Sequence, residues 1–370
     1  MSQINRIDGG LIDQEKVLNF TFNGQILKGY EGDTLASALL ANNKHLIGRS
    51  FKYHRPRGIV TAGSEEPNAI MEIGNGAYKD PNTRATVTKL YNGLEANSQN
   101  HRGPLSFDFM AITDFLSPLL GAGFYYKTFM WPKSFWEKFY EPAIRKSAGL
   151  GTLSTEADPD TYDKGFRHCD ILIIGSGATG LSAALTAAES GAKIILADED
   201  FLMGGRLNSE TNEIDGIAGS EWAKKTVAKL GAMENVTLMS DTTIFGAYDH
   251  GIYGAIENRA SEARKDNDKP RQVNWRIYTK RAILCAGATE RLIAFGNNDR
   301  PGIMLASAVR TYLNRFAVAT GQRISVYTNN DDGWKTAKDL NAKGFRVAAV
   351  IDSRSISPVM RVPGAEIYMG

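Results

Sequence analysis

The chain of 370 residues is short of cysteine, histidine and net charge. Two cysteines, Cys169 and Cys285, cannot staple a disulfide framework, and neither belongs to a C-x-x-C pair. Sparse cysteine of this kind fits a reducing compartment, so a cytoplasmic location is expected. Lys and Arg total 43 against 41 Asp and Glu, a formal net charge of +2. That balance gives no global attraction to nucleic acid or to an anionic membrane, and neither is expected as a partner. Long apolar runs are missing too. The most apolar stretch, 107–126, contains Asp108, Asp114 and Pro118, whereas a spanning helix needs roughly 20 largely uncharged residues. The first ten residues lack the apolar centre of a signal peptide. His45, His54, His101, His168 and His250 are scattered and read as surface or packing residues. No general base or nucleophile stands out, so no catalytic residue is assigned.

What is present begins with a β-rich segment. Residues 17–22 alternate in polarity, Asn23 and Gly24 make a turn, and residues 25–30 return as a hairpin. Asp33 or Thr34 can cap a helix over 35–41. Further strands are expected over 69–73 and 84–91, split by the turn at Gly74 and Gly76. Hairpin, helix and more strands make a β-grasp pattern, and residues 1–104 are assigned to such a domain.

This layout resembles a plant-type [2Fe–2S] ferredoxin domain, which needs four cysteine thiolates, mostly from one loop. The loop expected to carry them, 48–58, has none. It is basic instead, with Arg49, Lys52, Arg55 and Arg57 interleaved with Phe51, Tyr53 and His54. The expectation is a ferredoxin-like domain lacking cluster cysteines, no metal ligands and no iron–sulfur cluster. The basic loop reads either as a solvated or partner-facing surface or as a contact to the phosphate of a cofactor. Residues 105–165 form a connecting segment, dense in aromatics over 124–140. That density reads as an interface with another domain or chain, or as ordinary interdomain packing. Residues around 149–151 and 156–160 read as polar linker.

The most informative region is 166–370, assigned to a Rossmann-type FAD/NAD(P)-binding domain, so the fold class is α/β. A short apolar strand over 169–174 runs into Gly175, Ser176, Gly177, Ala178, Thr179 and Gly180. An alanine-rich helix follows to 191, then a strand over 193–197 closed by Asp198. Gly175 permits the tight turn, Gly177 lets backbone approach a pyrophosphate, and Gly180 lets helix and strand pack closely. The helix N-terminus offers N–H groups and a positive dipole end to the phosphates. Asp198, 198 − 175 = 23 positions after the first glycine, stands where an acid meets the adenosine ribose. Glu199 follows it, and Gly204, Gly205 and Arg206 continue the ligand-facing loop. A helix over 220–231, a strand over 236–239 and a meander over 242–278 come next. The chain then returns through a strand ending near Cys285, with Ala286 and Gly287 re-approaching the dinucleotide. The acidic ribose end, without Arg or Lys before Arg206, predicts discrimination against NADP.

A second half-repeat over 301–370 has strands at 323–327 and 346–351 around a helix at 333–342. Its turn carries Asp331 and Asp332 where a second glycine fingerprint would stand. Two carboxylates there would repel a pyrophosphate, so this half reads as a nucleotide fold without its nucleotide.

With these motifs the chain resembles the N-terminal part of the alpha subunits of heterotetrameric sarcosine oxidases. The runs that carry the likeness are 32–40, 55–68, 124–151, the Gly175 fingerprint and 300–312. The resemblance implies a cysteine-less ferredoxin-like domain, a Rossmann domain binding NAD, and a folate-binding domain beyond Gly370. The chain is therefore expected to be a truncated piece of a longer subunit. It also implies beta, gamma and delta partner subunits, substrate-oxidising FAD on the beta subunit and FMN at the alpha–beta interface. The family reaction oxidises the N-methyl group of sarcosine, giving glycine, hydrogen peroxide and formaldehyde, or 5,10-methylenetetrahydrofolate when folate is present. Two alternatives stand beside it: an FAD-binding subunit of a related opine, amino-acid or cyanide-forming dehydrogenase, and a noncatalytic assembly scaffold. The fingerprint does not separate NAD from FAD.

Overall fold

A computed structural model of the chain describes residues 3–121, 123, 129, 131–147, 151–260, 269–355 and 361–370. By internal contacts it divides into two units: Met1–Ala157 with Arg291–Tyr312 and Phe316–Gly370, and Asp158–Glu290 with Leu313–Arg315.

In the first unit, β1 (Asp13–Phe22) and β2 (Gln25–Glu31) form the expected hairpin. Asn23 and Gly24 both have positive φ, as a two-residue turn that follows strand twist requires. Helix α1 (Leu35–Ala41) starts at Thr34 with a reciprocal cap: Ser37 N–H donates to the Thr34 hydroxyl, and Thr34 N–H donates to the Ser37 hydroxyl. Strands β3 (Ile70–Ile73), β4 (Asp80–Arg84) and β5 (Leu94–Ser98) complete a sheet of order β2-β1-β5-β3-β4, in which β5 runs parallel to β1. The strand expected over 84–91 is not formed. The strand there is 80–84 instead, and its Pro81 is tolerated because β4 is an edge strand, where a missing N–H costs the ladder little. Phe20, Leu35, Leu39, Met71 and Leu94 are buried in one core with Tyr312 and Phe316.

The second unit is a six-stranded sheet. Four parallel strands, β6 (Tyr162–Ile174), β7 (Ile194–Ala197), β8 (Val236–Met239) and β11 (Gln272–Leu284), are extended by antiparallel β10 (Ile252–Asn258) and β9 (Thr242–Tyr248). The order is β8-β7-β6-β11-β10-β9. Part of the expected meander, 261–268, lies outside the described residues. All four residues of β7 are buried, which suits a parallel strand covered on both faces. Helix α2 (Ala178–Glu189) crosses from β6 to β7, with Leu181, Ala184 and Ala188 turned inward. Helix α3 (Gly219–Gly231) packs beside it through Ala223 and Leu230. This strand–helix–strand order with parallel register is the Rossmann arrangement.

The rest of the first unit contains helix α4 (Ala306–Asn314) as far as Tyr312, then β12 (Arg323–Thr328), α5 (Asp331–Ala342), β13 (Arg346–Asp352) and β14 (Glu366–Met369), the three strands forming a parallel sheet. Tyr312 on α4 is wholly buried and its hydroxyl donates to Thr61 O at 2.8 Å. Of the aromatic stretch 124–140, residues 124–128 and 130 lie outside the described residues. Trp131 is 84% exposed, and the Phe135 and Phe139 rings lie 5.0 Å apart. Among the described residues no helix is long and apolar enough to cross a membrane.

Candidate functional site

The glycine turn is built by close backbone approach. Gly175 has φ +98°, and a Cβ on it would lie 2.4 Å from Cys285 O. A Cβ on Gly180 would stand 1.8 Å from Gly175 O, so α2 sits directly on the turn. Gly177 differs: its φ is an ordinary −64°, and a Cβ there would meet nothing within 4 Å. It is the residue before Ala178 and Thr179, and no side chain caps this helix end. The turn is packed on its protein side and open on the other.

Ser176 is fully buried and ties three loops together. Its N–H and its hydroxyl both donate to Asp198 Oδ2, at 2.5 and 2.6 Å. The hydroxyl oxygen accepts Gly204 N–H at 3.0 Å. The other Asp198 oxygen, Oδ1, accepts Asp200 N–H at 2.9 Å. Gly205 has φ +53°, and a Cβ there would come 2.9 Å from Gly177 Cα. Arg206 pairs with Glu210, and Glu199 is exposed. Ala286 and Gly287, just past β11, are also exposed.

Sequence reasoning missed Arg315. Its guanidinium grips Asp200 with two nitrogens, Nη2 at 2.8 Å from Oδ1, and stacks over Phe201. The ribose end is therefore less acidic than the run Asp198, Glu199, Asp200 suggests. No sequence signal links residues 115 positions apart.

The basic loop is held internally. Arg49 donates to the carbonyls of His54, Leu105 and Ser106. Arg55 and Arg57 both grip Asp299, and Arg55 also reaches Asp114. The Arg55 hydrogen bond holds the Asp299 carboxyl down at about 2, against the opposing effect of burial. His54 Nδ1 lies 2.6 Å from the Asp108 carboxylate. These cations are committed to partners within the unit, which is neither the solvated surface nor the phosphate contact expected from the sequence.

A second loop, 59–69, encloses a carboxylate. Glu66 is 1% exposed. Its Oε2 accepts Val60 N–H, Thr61 N–H and the Thr61 hydroxyl, and its Oε1 accepts Asn68 N–H and Ala69 N–H, all within 3.1 Å. Among the described residues no group of three or more His, Cys, Asp and Glu could hold a metal ion. Burial pushes both cysteine thiols up.

Residues 15–101 match the family described as a 2Fe-2S iron-sulfur cluster binding domain, and residues 170–275 match the FAD dependent oxidoreductase family. A ferredoxin-like domain joined to an FAD-dependent oxidoreductase domain is thus the class of this chain. Sarcosine oxidase subunit alpha of Rhizobium meliloti is 53% identical over 351 residues, 95% of this chain and 36% of that protein. Its counterpart in a Corynebacterium strain (U-96) is 36% identical over 94% of this chain and 31% of that protein. The chain is similar to the sarcosine oxidase alpha subunits along nearly all of its own length, and it spans about a third of the length of these curated relatives. L-proline dehydrogenase from P. horikoshii, 19% identical, shares the fold with a TM-score of 0.60 over 98% of this chain and 62% of that one.

The first family match corrects the expectation of no iron–sulfur cluster: residues 15–101 fall in a family described by cluster binding. The residues present do not supply its usual thiolates, because both cysteines lie beyond residue 101.

Proposed function

We propose that this chain supplies a dinucleotide-binding unit to a sarcosine oxidase-type enzyme acting on a CH–NH group. One observation carries the reading: the uncapped start of α2 at Gly177, with open space where a side chain would be. The first amides of α2 bind the pyrophosphate there, aided by the positive end of the helix dipole. Asp198 accepts a ribose hydroxyl, and Glu199, Gly205, Arg206, Ala286 and Gly287 border the ligand. NAD or FAD, when bound, supplies hydride-transfer chemistry.

Oxidation of the N-methyl amine takes place on a beta-type partner, with gamma and delta subunits completing the assembly and the one-carbon unit passing to folate. The similarity to curated alpha subunits supports this division of labour. A second reading, FAD bound at the same turn with the redox chemistry on this chain, is favoured by the FAD dependent oxidoreductase match over 170–275.

Calorimetric titration of the chain with NAD, FAD and ADP tests the site. One equivalent of ligand is expected, with binding lost in Gly177→Val at unchanged melting, because that Cβ enters open space. Absence of binding by the native chain ends the proposal. A flavin absorbance band on the purified chain selects the second reading. Peroxide formation from sarcosine, measured before and after adding a beta-type subunit, tests the division of labour. Turnover by the chain alone overturns it.

A further inference from the structure

We infer that Ser176 is a positioning residue that selects which oxygen of Asp198 meets the ribose. The inference rests on the dinucleotide reading above. Ser176 is wholly buried, so its side chain acts through its neighbours rather than on a ligand. Its N–H and hydroxyl both end on Asp198 Oδ2. A carboxylate has about four acceptor sites, two on each oxygen. Ser176 fills both on Oδ2. On Oδ1, Asp200 N–H fills one, which leaves one site for a ribose hydroxyl.

The same hydroxyl accepts Gly204 N–H, so its proton is directed to Asp198 and its lone pair to the following loop. One buried O–H group therefore sets the rotation of the Asp198 carboxylate and anchors the segment leading to Gly205. Without it, Oδ2 loses one of its two donors and the carboxylate turns more freely. Oδ1 is then no longer held toward the ligand side. The backbone N–H of residue 176 survives any substitution but proline, so the turn keeps a tether to Asp198.

The test compares ADP with 2′-deoxy-ADP by calorimetry on the full chain. A hydrogen bond to a charged acceptor makes ADP bind about tenfold more tightly than the deoxy ligand in the native chain. In Ser176→Ala that ratio falls to about twofold. Ser176→Gly, which keeps the same N–H, gives the same result should the alanine variant fold poorly. Asp198→Asn marks the ratio expected when the charged acceptor is gone. Urea midpoints are recorded for every variant. A purely structural role for Ser176 would weaken both ligands equally and leave the ratio near its native value, and that result overturns the inference while leaving the dinucleotide reading intact. A native chain that binds both equally removes Asp198 from the ribose and overturns the inference alone, and one that binds neither ligand overturns reading and inference together.

Discussion

Two turns in this chain lead from a parallel strand into a helix, and they treat the helix end in opposite ways. After β6 the turn is made of glycine and small residues, and α2 begins at Gly177 with no capping side chain. After β12 the turn closes on itself. Asn330 accepts Asp332 N–H and caps α5, while Asp331 and Asp332 lie in its first turn. Carboxylates are favourable at a helix N-terminus, where the dipole end is positive. Each is also matched by an arginine, Asp331 by Arg354 and Asp332 by Arg310, both within 2.9 Å. The acidic turn is therefore a neutralised one, and the simple repulsion expected from its sequence is softened. One helix end leaves its anion site to a ligand; the other fills it with its own side chains. The Glu66 loop takes the second solution further, with four backbone N–H groups and a hydroxyl converging on a buried carboxylate.

The largest way to break the comparison is at Gly180. A Cβ there has 1.8 Å to a backbone oxygen, and backbone cannot swing aside as a flexible side chain can. Gly180→Val should destabilise the second unit by about 4 kcal/mol or more, at the severe end for overpacking. Urea denaturation followed by circular dichroism measures it. A variant that unfolds at the native midpoint would mean that helix and turn are not in contact.

Glu66→Ala should be next, at about 3 kcal/mol. Buried donors left without an acceptor cost about 1–3 kcal/mol each, and the loop recovers part of that by relaxing. Glu66→Gln keeps one acceptor oxygen and should fall between. A loss below about 1 kcal/mol for the alanine variant, well under the cost of an unsatisfied buried cluster, would show that the loop does not depend on its carboxylate.

Acid should act beside the closed turn. Asp352 ends β13, accepts hydrogen bonds from Arg354 and from the Trp334 indole N–H, and has its carboxyl held at about 2, chiefly by Arg354. A carboxyl lowered in the folded state stabilises the protein above its unfolded value of 3.8. That contribution is lost as pH falls from about 4 to about 2, and it amounts to about 2 kcal/mol. Asp352→Asn should flatten this part of the pH dependence, read as urea midpoints at pH 5, 4 and 3. An unchanged slope would remove Asp352 as a source of acid sensitivity.

What could be read from the sequence follows how local each feature is. The β6 turn occupies one stretch, so strand, glycines, helix and terminal acid all appear in order. The hairpin at Asn23 and Gly24 and the cap at Thr34 are legible for the same reason. The partners of Arg55 and Arg57 are not, because Asp299 lies 244 positions from Arg55. Glu66 was hidden differently. Glu65 stands beside it, and nothing in the sequence says which of the two carboxylates turns inward. The converging N–H groups lie at 60–69, away from the conspicuous basic residues of 48–58.

The smallest effect, and the one that most sharpens the contrast between the turns, concerns the phosphate that the open turn rejects. A 2′-phosphate near Asp198 meets like charge. Repulsion between unit charges at 4 Å is about 4 kcal/mol at an effective dielectric of 20, and screening by half still leaves more than a tenfold loss of affinity. The charge actually present is smaller than the three consecutive acids suggest, since Arg315 offsets Asp200. The native chain should therefore bind NAD at least about tenfold more tightly than NADP. Asp198→Ala should weaken NAD and narrow the gap. Asp200→Asn removes the negative charge that offsets Arg315 and should narrow the gap by about threefold through a gain in NADP alone. Calorimetric titration of both ligands against the three proteins decides it. Equal NAD and NADP affinities in the native chain overturn the role of Asp198. A gap unchanged in Asp200→Asn confines Arg315 to holding the end of β7 in place.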